Sequence, residues 1–137
     1  MSRIAVTSEH GVAVGPYSHA IDTGQLVFLS GQTPLDPQTG TLVEGGTGQQ
    51  TSRCLDNLVA VLSAAGLTTD DVVKCNVYLT DMDDFAEMNR AYASYFTQPP
   101  PARTTIAVAG LPLGAHVEIE MVAVSGANRS GSSRGCR

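Results

Sequence analysis

The chain of 137 residues, 42% hydrophobic and 15% charged with a mean hydropathy of +0.03, has the size and composition of one domain that can bury a real core. Its net charge of −5 is unevenly placed: all 13 acids lie in residues 1–124 beside Arg3, Arg53, Lys74, Arg90 and Arg103, which leaves that part at −8, while Arg129, Arg134 and Arg137 follow it. A body this acidic has no phosphate-neutralising stripe, so nucleic acid is not an expected partner.

Cys54, Cys75 and Cys136 are far apart and form no CxxC, and the first two fall in regular patterns where a reduced, buried thiol is expected. The N-terminal MSRIAVTSEH lacks a signal-peptide apolar run and no stretch approaches transmembrane length. The expected location is the cytoplasm, with no membrane partner.

In chain order, an edge strand is expected around Ile4–Thr7, and residues 12–16 are small and flexible. Asp22-Thr23-Gly24 reads as the turn of a β-hairpin from about His19 to Ser30. Gly31 ends that strand, and Pro34, Pro37 and Gly40 keep the next stretch irregular. A helix follows from Thr47, whose hydroxyl is a candidate cap, to about Ala65 before Gly66, with Leu55, Leu58, Val59 and Leu62 as its apolar stripe.

Residues 72–79 alternate as a strand, with Val73, Cys75, Val77 and Leu79 on one face and Lys74, Asn76 and Tyr78 on the other. A second helix is capped by Thr80 or Asp81 and buries Phe85, Met88, Tyr92 and Tyr95 or Phe96, with Asn89 beside that stripe. It must end by Gln98, because Pro99-Pro100-Pro101 removes three amide donors in succession. Two strand-like runs close the domain, about Thr104–Ala109 and Val117–Val124; residues 1–125 form the domain and 126–137 a flexible tail.

On the last run Val117, Ile119 and Met121 share one face, while Glu118 and Glu120 interrupt the other beside Val122 and Val124. A carboxylate on such a strand is costly unless it is solvated, hydrogen-bonded or paired, and Arg103 is a candidate partner; if the two runs pair antiparallel, Arg103 is expected to face a different strand or subunit instead. A structural ion pair and a ligand-binding pair are both open at this point. The two helices are too few to cover both faces of a five- or six-stranded mixed sheet, so an α+β layer with the helices on one face is expected, the other closing against a second subunit.

His10, His19 and His116 show no metal-ligand spacing, and neither GxSxG nor a phosphate-cradling glycine loop occurs, so no metal is expected. A more economical site uses Arg103 as a fork for a small carboxylate, with Glu118 holding or activating a water.

The segments Gly15-Pro16-Tyr17-Ser18, Val27 to Gln32, DPQTG at 36–40, Asp84 to Asn89, Pro101-Ala102-Arg103-Thr104 and LPLGAHVEIE at 111–120 together resemble the reactive intermediate deaminase (RidA/YjgF) family over about residues 3–124. The resemblance implies a chorismate-mutase-like subunit in a barrel-like homotrimer with clefts between neighbours. It also implies cofactor-independent hydrolysis of 2-enamine/2-imine intermediates, such as 2-aminoacrylate or 2-iminobutanoate, to 2-oxo acids and ammonia.

By the same resemblance Arg103 clamps the substrate carboxylate and Glu118 serves the water and imine nitrogen. Tyr17 and Asn89 line the site, the Gly31 backbone approaches the ligand, and Glu120 is a structural companion. Thr105 stands among the substrate-binding residues where many members have Cys; His19 replaces a common Gln and, with Ser30, is a candidate for lining the pocket. A non-catalytic carboxylate-binding regulator using the same cleft is the alternative, and the ribonuclease activity of some relatives suits the acidic body less well.

Overall fold

The computed structural model describes residues 3–8 and 15–129. His10, the small residues 12–14, and residues 130–137 of the tail expected over 126–137, Cys136 among them, lie outside the described residues. Six strands form one mixed sheet: β1 (Ile4–Val6), β2 (Ala20–Asp22), β3 (Leu26–Gln32), β4 (Val72–Leu79), β5 (Ala102–Ala107) and β6 (Val117–Val124). Their spatial order is β1-β2-β3-β6-β4-β5, with β4 and β5 parallel and every other neighbour antiparallel. A 3-10 turn, Gly126–Arg129, follows β6.

The hairpin of β2 and β3 forms around Asp22, whose carboxylate accepts from the Gly24 N–H at 2.8 Å. The two C-terminal runs do not pair with each other. The last strand inserts between β3 and β4, and the run that begins at Ala102 is the sheet edge, laid parallel to β4.

Helix α1 (Thr47–Ala64) starts at Gly46 instead of being capped by the Thr47 hydroxyl. Gly46 has no side chain to offer, but its N–H donates to Gln49 Oε1 at 3.0 Å, which is half of a capping box. The helix ends where Gly66 turns left-handed (φ 76°), with Leu67 N–H on the Leu62 carbonyl at 2.8 Å and Gly66 N–H on the Ser63 carbonyl at 2.9 Å. Helix α2 (Phe85–Ala93) follows a short 3-10 turn that Asp81 opens by accepting from Asp83 N–H at 2.9 Å. It stops at Ala93, short of the proline run.

Both helices cover one face of the sheet. Leu55, Leu58, Val61 and Leu62 of α1 and Met88 and Tyr92 of α2 pack on Val27, Leu29, Cys75, Val77, Leu79, Val117, Ile119 and Met121. Val61 and Cys54, not the exposed Val59, complete the α1 stripe. On β4 the inward residue is Val72 and Val73 is exposed, because a bulge between Val72 and Lys74 reverses the alternation there. The opposite face presents Phe28 and Ile106, 48% and 46% exposed, with half-buried Tyr78, Val122 and Val124.

Candidate functional site

Arg103 stands on the edge strand β5, directly across from the fully buried Cys75, and so shares the helix-side face. Its guanidinium lies 4.7 Å from the Tyr92 ring centroid and 5.7 Å from that of Phe85, and its Nη1 points at Met88 Sδ at 4.0 Å. Phe85, Met88 and Tyr92 can form this platform because the 3–4 spacing puts them on one face of α2. Among the described residues the guanidinium has rings and a sulfur as neighbours and no carboxylate to neutralise it. Sequence reading took these side chains as core alone; the signal for the platform was Asn89 lying between Phe85 and Tyr92 on the helix spiral.

Two polar atoms of this corner, Asn89 Oδ1 and Thr105 Oγ1, are buried without a hydrogen-bond partner, and the buried Tyr92 hydroxyl has only the Cys75 thiol beside it. Thr105 shares Arg103's face two residues along β5. Buried polar groups are normally satisfied, so such a cluster beside an unpaired cation marks a place where something polar is meant to bind. Burial pushes the Cys75 thiol up, the Tyr92 hydroxyl beside it only partly offsetting this, so Cys75 is no nucleophile. A cleft of about 530 Å³ opens here, with Asn89, Tyr92 and Arg103 among its walls.

Glu118 belongs to a second corner. It lies on β6 opposite Tyr78, on the outer face, and its carboxylate sits against Gly31 so closely that a Cβ on Gly31 would collide with it. Gly31 occupies the bulge in β3 between Leu29 and Gln32, where one extra residue carries the backbone toward β6. Burial, and then the charge of Glu120, hold the Glu118 carboxyl above its ordinary 4.5. Glu120 itself is engaged: one of its oxygens accepts from Asn76 Nδ2 at 2.9 Å and from the Tyr78 hydroxyl at 3.0 Å.

Ser30 fastens the segment before β2 to this corner, its hydroxyl donating to the Ser18 carbonyl at 2.7 Å and its N–H to the His19 carbonyl at 2.9 Å. Tyr17, 42% exposed, is the residue immediately before this fastened segment. The His19 ring is turned elsewhere: buried, it accepts the Ser8 N–H on Nδ1 at 3.0 Å and ties down the chain after β1.

Tyr17, Ser30, Gly31 and Glu118 therefore form one group and Arg103, Asn89 and Thr105 another, and one chain does not bring them together. Arg103 is level with Cys75 and Glu118 with Tyr78, an odd separation on β4, so the two side chains leave opposite faces of the sheet. Two strand spacings across and three residues along also separate their backbones, by roughly 14 Å.

The sequence profile described as Endoribonuclease L-PSP matches residues 7–125. The chain belongs to that family, RidA/YjgF. Within the family it is similar to the protein DfrA of Myxococcus xanthus, 49% identical over 91% of this chain and 98% of that one. It is also similar to the 2-iminobutanoate/2-iminopropanoate deaminase of Mus musculus, 43% identical over 90% of this chain and 92% of that one. Among solved structures, E. coli TdcF with bound serine superposes with a TM-score of 0.85 at 36% identity, over 90% of this chain and 99% of that one. E. coli TdcF thus shares the fold of this chain.

Proposed function

We propose that the chain hydrolyses reactive 2-enamine/2-imine intermediates of amino acids to 2-oxo acids and ammonia, without a cofactor, at sites completed between subunits. The observation that carries this reading is the Arg103 corner: a cation held by two rings, with no carboxylate, beside the unpartnered buried Asn89 Oδ1 and Thr105 Oγ1. The likeness to the mouse deaminase supplies the substrate class, with 2-aminoacrylate and 2-iminobutanoate as its small members. We further infer a barrel-like homotrimer of chorismate-mutase-like subunits, in which the Glu118 corner of one chain meets the Arg103 corner of its neighbour. A head-to-tail contact of two different patches closes into a ring, and the exposed apolar residues of the outer sheet face support such a contact.

Arg103 receives the carboxylate with its planar fork of donors. An enamine first takes a proton at C3 to become the imine. Water then adds at C2 as Glu118 accepts its proton, giving a tetrahedral adduct that carries both hydroxyl and nitrogen. Glu118 returns that proton to the nitrogen and takes the hydroxyl proton as the C–N bond breaks, so ammonia leaves as the carbonyl forms. A carboxyl held above its ordinary range by burial suits this, because it both accepts and returns a proton readily. Asn89, Thr105 and Tyr17 line the substrate, and the Gly31 backbone keeps the approach to Glu118 open.

The alternative is a carboxylate-binding regulator without turnover, favoured by the serine-bound relative. One assay decides: 2-aminoacrylate is generated in situ by a dehydratase, and release of pyruvate and ammonia is compared with buffer. Acceleration that disappears in Arg103→Ala, with oligomer size unchanged, is the expected result; no acceleration over buffer leaves only the regulator.

No helix among the described residues is long and apolar enough to cross a membrane. The free, buried Cys54 and Cys75 suit a reducing compartment, and the cytoplasm is the location we propose.

A further inference from the structure

We infer that the cleft beside Arg103 receives the substrate's side chain, and that the chain favours 2-imino acids whose side chain is apolar and larger than methyl, branched or aromatic. This rests on the deaminase reading above and narrows it to a substrate class.

The cleft has two unlike ends. Arg103 and Asn89 stand at one, and the remaining wall is built from Tyr92, Ala93, Phe96, Gln98, Pro100 and Pro101. The Tyr92 and Phe96 rings pack at 4.9 Å between centroids with a 41° tilt, which makes that side a fixed aromatic surface. The two prolines have no amide N–H, so beside them Gln98 is the one side chain of this stretch with polar groups to offer.

A carboxylate gripped by Arg103 fixes C1 of the substrate. At C2 the protonated nitrogen has an acceptor in Asn89 Oδ1, which is buried and otherwise unpartnered. The third substituent of C2 is then left to point along the apolar wall.

Size supports the same conclusion. The alanine-derived imino acid has six heavy atoms and fills roughly 180 Å³ if each takes the ~30 Å³ of a liquid water. The single-chain cleft measures about 530 Å³ before a neighbour's Glu118 corner closes on it, so that substrate leaves part of the space beside the aromatic wall unfilled. The twelve heavy atoms of the phenylalanine-derived imine come to roughly 360 Å³ by the same rule, still within the single-chain volume. Each added carbon that displaces water is worth about 4-fold in binding, so a leucine side chain should gain at least about 10-fold over methyl in kcat/KM.

The test uses the full chain and imino acids made in situ from alanine, leucine and phenylalanine by an L-amino-acid oxidase, following acceleration of 2-oxo acid and ammonia release over buffer. The expected result is an advantage of at least about 10-fold for the leucine-derived over the alanine-derived imine. Ala93→Phe, a substitution at the exposed rim of the cleft, should remove that advantage and change the alanine-derived rate by less than about 2-fold.

Equal or better turnover of the alanine-derived imine, or an equal loss on all three in Ala93→Phe, overturns the inference and leaves the deaminase reading standing. No acceleration on any of them overturns the deaminase reading. Binding of 4-methyl-2-oxopentanoate against pyruvate, measured by calorimetry on wild type and Ala93→Phe, then decides the inference alone: tighter binding of the larger acid, lost in the variant, supports it, and equal affinities overturn it.

Discussion

Two inactive variants should rescue each other. Arg103→Ala removes the fork and Glu118→Gln removes the base, and each alone is expected to cost about 10²–10³-fold in kcat/KM. Because the two side chains leave opposite faces of the sheet, the site we propose takes Arg103 from one chain and Glu118 from its neighbour. In a 1:1 co-refolded mixture with random assortment, a given interface draws an intact Arg103 half the time and an intact Glu118 half the time. About one interface in four is then complete, and activity should return to about 25% of wild type whatever the number of subunits in the ring. The 2-aminoacrylate assay reads the recovery, and native mass spectrometry on tagged chains confirms that mixed oligomers formed. A mixture of proven mixed oligomers that stays at the level of the single variants would refute the shared site.

Glu118 is expected to set the acid limb of the rate profile: it works ionised, so kcat/KM falls as pH drops through a value above 4.5. Glu120→Gln removes one of the two causes of the upward shift and should move that limb to lower pH. In stability the sign is opposite to that of a paired carboxylate. The cost of ionising Glu118 in its half-buried place is fully present above its raised pKa and gone below the unfolded value, so Glu118→Gln should raise Tm at pH 7 and lose that advantage on acidification toward pH 4.5. Gly31→Ala should fold, yet displace the Glu118 carboxylate and lower kcat by about 10²-fold; an active Gly31→Ala enzyme would remove the close approach from the mechanism. Asn57 is fully buried and its Nδ2 donates to the Thr33 and Leu35 carbonyls at 3.4 and 3.0 Å, so Asn57→Ala should cost about 2–4 kcal/mol in urea denaturation.

Much of the local structure was legible from the chain. The Asp22-Thr23-Gly24 turn and the alternation from Val117 to Val124 depend on neighbours a few residues away, and both stand where the sequence put them. Errors arose where a local signal had a distant competitor. Val59 fits a helical stripe but faces outward, because the sheet lies under Leu55, Leu58 and Leu62. Val73 lost its inward place to a bulge that no alternation pattern announces. His19 had the chemistry of a pocket residue, and its ring is instead spent on Ser8.

By itself the sequence determined the parts and their chemistry: an acidic one-domain body, two helices, an arginine after a rigid proline run, and two carboxylates on a strand otherwise made for burial. Side-chain period and backbone chemistry are properties of short segments, and they survive whatever the rest of the chain does. Only the tertiary structure decided that β6 lies between β3 and β4, because pairing across a hundred residues depends on which apolar faces share a core. That insertion separates Glu118 from Glu120 in role, the first against Gly31 and the second bonded to Asn76 and Tyr78. It also turns Arg103 and Glu118 to opposite faces, since register across β4 fixes their relative direction and alternation within either strand cannot.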